Sequence, residues 1–324
     1  MIQVALLLTN KYRLLSVAAI LDVFDTVNSY YEAEGQEALF NLSILYAANS
    51  NNEVPVFNTH KPRPLNPANT QDLVLIPAFG TADMSAAIQE NLEFLPWLKQ
   101  QHQKGVELAS FCTGAFLLAA SGLLDGKSAT THIHASTSFA SSFPDVYLRP
   151  NEVVTYDQGI YTSGGATSTF HLLLKLIHNY ASREIAVRTA KVFAIDMNRE
   201  QQSYFGTFIP TRDHGDELVT KTQLCIENAY NKAATVEDIL QHIPASRRNI
   251  ERRFKQATGN TLIAYLQKTR IEKAKKLLEQ TNQSILEVML NSGYNDLKAF
   301  RQLFKKSSGM TPKDYRDKFK ARIA

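Results

Sequence analysis

The last third of the sequence repeats itself. At a fixed offset of 50 residues Phe254-Lys255 falls on Phe304-Lys305, Gly259 on Gly309, Thr261 on Thr311 and Tyr265 on Tyr315. Leu240 falls on Leu290, and Ile250 on Phe300. So dense a match at one offset implies two copies of a single supersecondary unit.

Each copy reads as two short helices joined by a tight turn. In the second, Ser284-Ile285-Leu286-Glu287 has the form of a capping box, and Ile285, Val288 and Met289 share an apolar face. Gly293 supplies the turn, and Asn295 or Asp296 caps the next helix. Phe300 and Phe304, at i and i+4, face inward and leave Lys298, Arg301 and Lys305 outside. In the first copy the turn falls at Ile243-Pro244-Ala245, Ile250 and Phe254 are the inward pair, and Arg247, Arg248, Arg252 and Arg253 crowd the rest. Helix, turn and basic helix is the helix-turn-helix pattern. A major groove admits one helix, whose exposed side chains reach base edges while neighbouring cations hold phosphates. Two such units reach successive grooves about 34 Å apart, and the helix expected from Leu262 to Gln280 can hold that spacing.

Charge separates this part from the rest. Residues 1–218 carry 14 Lys and Arg against 21 Asp and Glu, a net of −7, whereas residues 219–324 carry 21 against 10, a net of +11. The asymmetry points to a polyanion partner for the C-terminal part. A length of 324 residues, 44% of them hydrophobic, accommodates about two domains with real cores. No apolar run reaches the roughly 18 residues of a membrane span. Ile2 to Leu8 reads as a first strand, since no basic segment precedes it and no small-residue cleavage site follows. Cys112 and Cys225 stand far apart, which excludes a disulfide scaffold and suits a reducing cytosol.

Up to about residue 200 short apolar strands alternate with helices. Val74 to Pro77, Val106 to Phe111 and Gly159 to Ser163 read as strands; Leu92 to Gln100 and Phe170 to Tyr180 read as helices. The alternation predicts an α/β domain with a mainly parallel sheet. Thr207 to Asp216, with Pro210 and Gly215, reads as a linker. One strand runs straight into Cys112-Thr113-Gly114, which opens a helix. Such a turn is expected to expose the thiol, and a helix N-terminus lowers a thiol pKa. His132 can stand beside it, and Gly164-Gly165 before a helix is an anion-friendly turn. Read alone, a single cysteine is more often a small buried hydrophobe. His132 and His134 lack a further metal ligand in sequence, and Trp97 and Cys225 read as packing residues.

Two resemblances follow from these motifs. Arg270-x3-Ala274-x2-Leu277-Leu278-x2-Thr281, then Gly293-Tyr294-x-Asp296-x3-Phe300-x3-Phe304-Lys305-x3-Gly309-x-Thr311-Pro312-x2-Tyr315-Arg316, resembles the signature of AraC/XylS transcription regulators. Ser246-Arg247-Arg248-x-Ile250-x-Arg252-Arg253-Phe254 is similar to that family's first helix-turn-helix. Gln302, Met289 and Ile243 depart from its pattern. Cys112-Thr113-Gly114-Ala115-Phe116, Gly122-Leu123-Leu124-Asp125-Gly126, Ala129-Thr130-Thr131-His132 and Thr162-Ser163-Gly164-Gly165-Ala166-Thr167-Ser168 resemble the class I glutamine-amidotransferase-like superfamily of ThiJ/PfpI type. The combination resembles the GlxA-like regulators. Enzymes of that superfamily pair the cysteine with a carboxylate, where this chain has Ser16. His171 replaces an acidic residue, and Pro77-Ala78-Phe79-Gly80 lacks a glycine pair.

The resemblances imply a flavodoxin-like α/β sensor and dimerisation domain at 1–203, a linker at 204–217, and an all-α DNA-binding domain of two helix-turn-helix units at 218–324. The expected function is metabolite-controlled, sequence-specific DNA binding; a cysteine hydrolase or amidase fused to a DNA-binding module is the alternative. Expected ligand contacts are Ser16, Cys112, Thr113, Gly114, His132, Gly164 and Gly165, with Cys112 and His132 as vestigial catalytic candidates. Expected DNA contacts are Arg247, Arg248, Arg252, Lys298, Arg301 and Lys305. Double-stranded DNA, a small effector, a second copy of the chain and RNA polymerase are the expected partners. Neither a cofactor, a metal nor a membrane is expected, and the expected location is the cytoplasm.

Overall fold

The apolar run that opens the chain forms β1 (Ile2–Leu8), and the main sheet is built around it. Val4, Leu6 and Leu8 enter one core while Ala5 and Leu7 enter the other. A strand covered on both faces needs no polar alternation. The computed structural model describes residues 1–47, 55–57, 60–66, 71–165, 167–197, 201–202, 205–212, 214–232, 235–241 and 243–320. Ala166, Asp213 and the expected domain-boundary residues 203 and 204 lie outside the described residues. The chain divides into two units, Met1–Gln202 and Ser203–Ala324.

In the first unit β1 is followed by α1 (Leu14–Ala33), β2 (Phe40–Tyr46), β3 (Arg63–Pro64), β4 (Leu73–Ile76), α2 (Met84–Gln89), α3 (Phe94–Gln103) and β5 (Glu107–Ser110). Then come α4 (Ala115–Ala120), β6 (Ser128–Ala129), α5 (Ser136–Ser142), β7 (Tyr147–Leu148), β8 (Val154–Asp157), β9 (Ile160–Ser163), α6 (Ser168–Tyr180) and α7 (Arg183–Val192). The seven-stranded sheet has the order β3-β2-β1-β4-β5-β9-β8. Neighbours run parallel except β8 against β9 at the edge. One face packs on α3, α4 and α5 through Trp97, Leu98, Phe116 and Phe139; the other packs on α1, α6 and α7 through Phe24, Leu173, Ile177 and Ala186. This is the expected mainly parallel α/β architecture. Since β2 and β4 flank β1, the winding reverses there. In an open α/β sheet the crevice beyond the strand C-termini at such a reversal is where ligands bind.

The second unit holds α8 (Glu217–Ala229), α9 (Val236–Leu240), α10 (Arg247–Thr258), α11 (Leu262–Gln280), α12 (Ile285–Asn291), α13 (Leu297–Ser308) and α14 (Pro312–Phe319). Its repeat is structural as well as sequential. Gly259 and Gly309 end α10 and α13 in the left-handed conformation, at φ of 68° and 76°. Thr261 and Thr311 cap the helices that follow. Phe254 meets Tyr265 edge-on with ring centroids 5.1 Å apart, and Phe304 meets Tyr315 at 5.4 Å. The tyrosine hydroxyls then donate to Glu227 at 2.5 Å and to Glu279 at 2.6 Å. Each copy has its own apolar core, with α11 contributing its first half to one and its second half to the other.

The stretch expected to be a linker is docked on this helical unit where it is described. Phe208 packs edge-on against Tyr265 at 5.1 Å, its N–H donates to Glu272 at 3.1 Å, and Arg212 pairs with Glu227 at 2.6 Å. Low apolar content hid this, because two phenylalanines, Phe205 against Phe319 and Phe208 against Tyr265, and two ion pairs make the contact.

Candidate functional site

Cys112 follows β5 and opens a 3-10 turn, Cys112–Gly114, ahead of the six-residue α4. Its φ is +55°. For a residue with a Cβ this region costs on the order of 1–3 kcal/mol and persists only where the surroundings enforce it. The loops after β1, β4 and β5 supply that enforcement. The Arg13 N–H donates to the Ala78 carbonyl at 2.6 Å, and the Gly80 N–H donates to the Lys11 carbonyl at 2.6 Å. Ser16 Oγ accepts from the Ala78 N–H at 3.1 Å. Thr113 Oγ1 accepts from the Phe79 N–H at 2.9 Å and donates to the Phe79 carbonyl at 3.3 Å. From the far side, Thr131 Oγ1 donates to the Cys112 carbonyl at 3.0 Å. A Cβ on Gly165 would stand 3.4 Å from the ring of His132. Ser16, Cys112, Thr113, Gly114, His132 and Gly165 therefore gather at the C-terminal edge of the sheet.

Several of their expected properties need correction. The thiol is not exposed: Cys112 is 2% accessible, and burial pushes its pKa up despite the opposing Thr113 N–H and Arg13. Desolvation of a thiolate outweighs a short helical turn. His132 is half-buried, and its Nδ1 accepts the His134 N–H at 3.1 Å. Burial first, then His134 and Arg13, pull its pKa down. Its neutral ring thus carries the proton on Nε2 and has no free nitrogen with which to take a proton from the thiol. Gly114 is small because of backbone, not ligand: a Cβ there would lie 2.6 Å from the Pro77 carbonyl oxygen.

The Gly164-Gly165 turn is not open to an anion either. Gln202 Oε1 accepts the Gly165 N–H at 3.0 Å. Its Nε2 shares its protons among Thr130 Oγ1 and the carbonyls of Thr131, Pro150 and Glu152 at 2.9–3.2 Å. Gln202, Thr131 and Arg13 were not legible as members of the site. Each acts through a side chain that the fold brings from another segment. His171 is placed elsewhere, its ring nitrogens within reach of the Thr167 and Asp196 carbonyls at 3.3 and 3.0 Å.

In the second unit, Ile250 and Phe254 on α10 and Phe300 and Phe304 on α13 are buried, whereas Arg248, Arg252, Lys298, Arg301 and Lys305 are exposed. Asp296 caps α13 by accepting from the N–H groups of Lys298 and Ala299 at 2.8 and 2.9 Å. Arg247 is exposed but held by Glu237 and Glu251, the latter at 2.9 Å. Arg253 forks onto Asp216 at 2.7 and 2.8 Å and anchors the start of α8. At Gly293, with φ of +83°, an added Cβ would lie 2.0 Å from the Tyr230 carbonyl oxygen, so the turn between α12 and α13 requires glycine.

Among the described residues no helix is long and apolar enough to cross a membrane. A helix-turn-helix domain family matches residues 239–318, and the DJ-1/PfpI family matches residues 50–179. The chain is 29% identical over 218 residues to the HTH-type transcriptional regulator CdhR of Pseudomonas aeruginosa, covering 67% of this chain and 64% of that one. It is 28% identical over 223 residues to the HTH-type transcriptional regulator ArgR of the same organism, covering 68% of this chain and 67% of that one. The match thus spans less than two thirds of CdhR. An AraC family transcriptional regulator from Pseudomonas putida is a distant structural neighbour, with a TM-score of 0.45, 16% identity, and coverage of 60% of this chain and 100% of that one. The DJ-1/PfpI match falls on the α/β unit and the helix-turn-helix match on the repeated helices, so the chain joins a region similar to the DJ-1/PfpI family to one similar to a helix-turn-helix domain family.

Proposed function

We propose that this protein is a sequence-specific DNA-binding transcription regulator whose first unit binds a small molecule without turning it over. The observation that carries the reading is the pair of matching helices α10 and α13, each burying an aromatic or aliphatic seam and presenting Arg248, Arg252, Lys298, Arg301 and Lys305 outward. Arg247 belongs to the same surface, with its charge shared between two glutamates. One helix per unit lies in a major groove, and the other cations neutralise phosphate. A homodimer, contact with RNA polymerase and a cytoplasmic location complete the proposal.

Ser16, Cys112, Thr113 and His132 form the proposed ligand pocket, with Gly114 and Gly165 as its close-packed floor. Support for sensing over catalysis comes from the neutral thiol and the committed His132 nitrogen. General-base work needs an acceptor within reach of the proton it takes. Full-length protein titrated with fluorescent genomic fragments tests the DNA reading. Tight binding to a subset of fragments is expected, and equal weak binding to all of them contradicts it.

The strained φ of Cys112 favours a second reading, a cysteine hydrolase, because such strain concentrates at active sites. Cys112-dependent turnover of amides or esters by the purified protein would establish that reading.

A further inference from the structure

Helices α10 and α13 belong to separate apolar cores that share α11, and the two copies also meet where Gly293 approaches the Tyr230 carbonyl. Modules with separate cores move relative to each other unless a further contact holds them. Residues 205–212, which precede α8 in the second unit, reach both copies.

The two phenylalanines of this strap sit on matching places. Phe208 packs edge-on against Tyr265 at 5.1 Å, and Tyr265 packs on Phe254 of α10. Phe205 packs edge-on against Phe319 at 5.8 Å; Phe319 packs on Tyr315 at 4.7 Å, and Tyr315 on Phe304 of α13. A chain of ring contacts thus joins each phenylalanine to the buried seam of one basic helix. Between the rings the strap is tied to α11 by charge. Lys275 Nζ donates to the Gly206 carbonyl, and Glu272 accepts the Phe208 N–H at 3.1 Å. The two side chains, 6% and 14% accessible, face each other at 3.8 Å. A buried ion pair needs its remaining polar sites filled, and the strap backbone fills one on each partner. Beyond Phe208, the Thr211 carbonyl accepts from Gln223 at 3.0 Å. Arg212 pairs with Glu227, the carboxylate that also accepts the Tyr265 hydroxyl.

We propose that residues 205–212 are a brace that fixes the distance and angle between α10 and α13, so that the protein reads two DNA subsites at one spacing. This rests on the reading of both helices as DNA-binding elements. Linking two contacts raises affinity only where both can be made at once, and the gain is lost where geometry forbids it. Phe205, Phe208, Glu272 and Lys275 are positioning residues, since none is among the outward cations of α10 and α13.

The test uses full-length protein and a selected genomic fragment whose two subsites are marked by footprinting. It is compared with the same fragment carrying two extra base pairs between the subsites, and with versions in which either subsite is scrambled. The insertion moves one subsite by about 7 Å and turns it by about 70°. The parent is expected to bind the native spacing on the order of a hundredfold more tightly than the altered fragments. Phe205→Ala and Lys275→Met should each lower the preference for native over lengthened spacing to about tenfold. Both should keep the parent's affinity for the scrambled fragments, because each helix-turn-helix unit is intact.

A preference that either variant leaves unchanged overturns the proposal, and the DNA-binding reading stands. So does a parent that tolerates the insertion. Weaker binding of the variants to the scrambled fragments also overturns it, because the strap then supports one unit and not the spacing. If the parent selects no fragment, the reading of α10 and α13 fails, and the proposal fails with it.

Discussion

Pro77 and Ile76 point their carbonyl oxygens at Gly114 so closely that a Cβ would meet them at 2.6 and 2.7 Å. Gly114→Ala is therefore expected to cost about 1–3 kcal/mol through overpacking. Urea unfolding of the first unit reads this, and a parent-like midpoint would mean that the loop yields. His132 gives a pH signature. Its folded pKa lies below the ordinary 6.5, burial being the main cause. The unfolded chain binds that proton first as pH falls, so the group favours unfolding under acid conditions. Stability of the first unit should hold above about pH 7 and decline as pH drops through the His range, with His132→Gln flattening that decline. The comparison is of urea midpoints at the two pH values; equal acid sensitivity in parent and variant would clear His132 of the effect.

At the scale of elements, the two copies of the helical repeat invite the same substitution twice. Tyr265 and Tyr315 each donate to a glutamate, and their own pKa values are pushed up by burial and by that carboxylate. Tyr315→Phe removes a bond to a charged group, worth roughly 1.5–3 kcal/mol, and leaves Glu279 without it. Tyr265→Phe should cost a similar amount at Glu227, and calorimetry of both variants checks the correspondence. In the first unit, the segment ending at Gln202 fills the space beside the β9–α6 turn, where a Cβ on Gly164 would lie 2.2 Å from Gln202 Oε1. Gln202→Ala is expected to speed hydrogen exchange at the Gly165 amide by an order of magnitude or more, since about 1–3 kcal/mol of protection is lost. Unchanged exchange would show that the turn is held by other means.

For the whole molecule, the −7 and +11 halves predict how DNA affinity responds to salt. Each phosphate contact contributes about 0.9 to the slope of log affinity on log salt, so a steep decline is expected. Arg301→Ala should cost about 1–3 kcal/mol on a preferred fragment if it reads a base edge, and much less on unrelated sequence. An equal loss on all fragments would make it a phosphate contact, and the slope would then fall by about one.

By itself the sequence determined what depends on local pattern. The 50-residue repeat fixed two helix-turn-helix copies, because Ser284, Asp296, Gly309 and the aromatic seam act within a few residues of their targets. The apolar run Ile2 to Leu8 fixed a first strand for the same reason, while its central place between β2 and β4 came from the fold. Only the tertiary structure decided the state of the site. Whether Cys112 is exposed depends on loops 33 to 96 residues away in the chain, at Ser16, Ala78 and Phe79, and on Thr131. Gln202 reaches Gly165 across 37 residues, and Arg13 came to matter only through its place opposite Ala78. Burial and hydrogen bonding between distant segments set a thiol's charge, and neither is written in the residues that flank it.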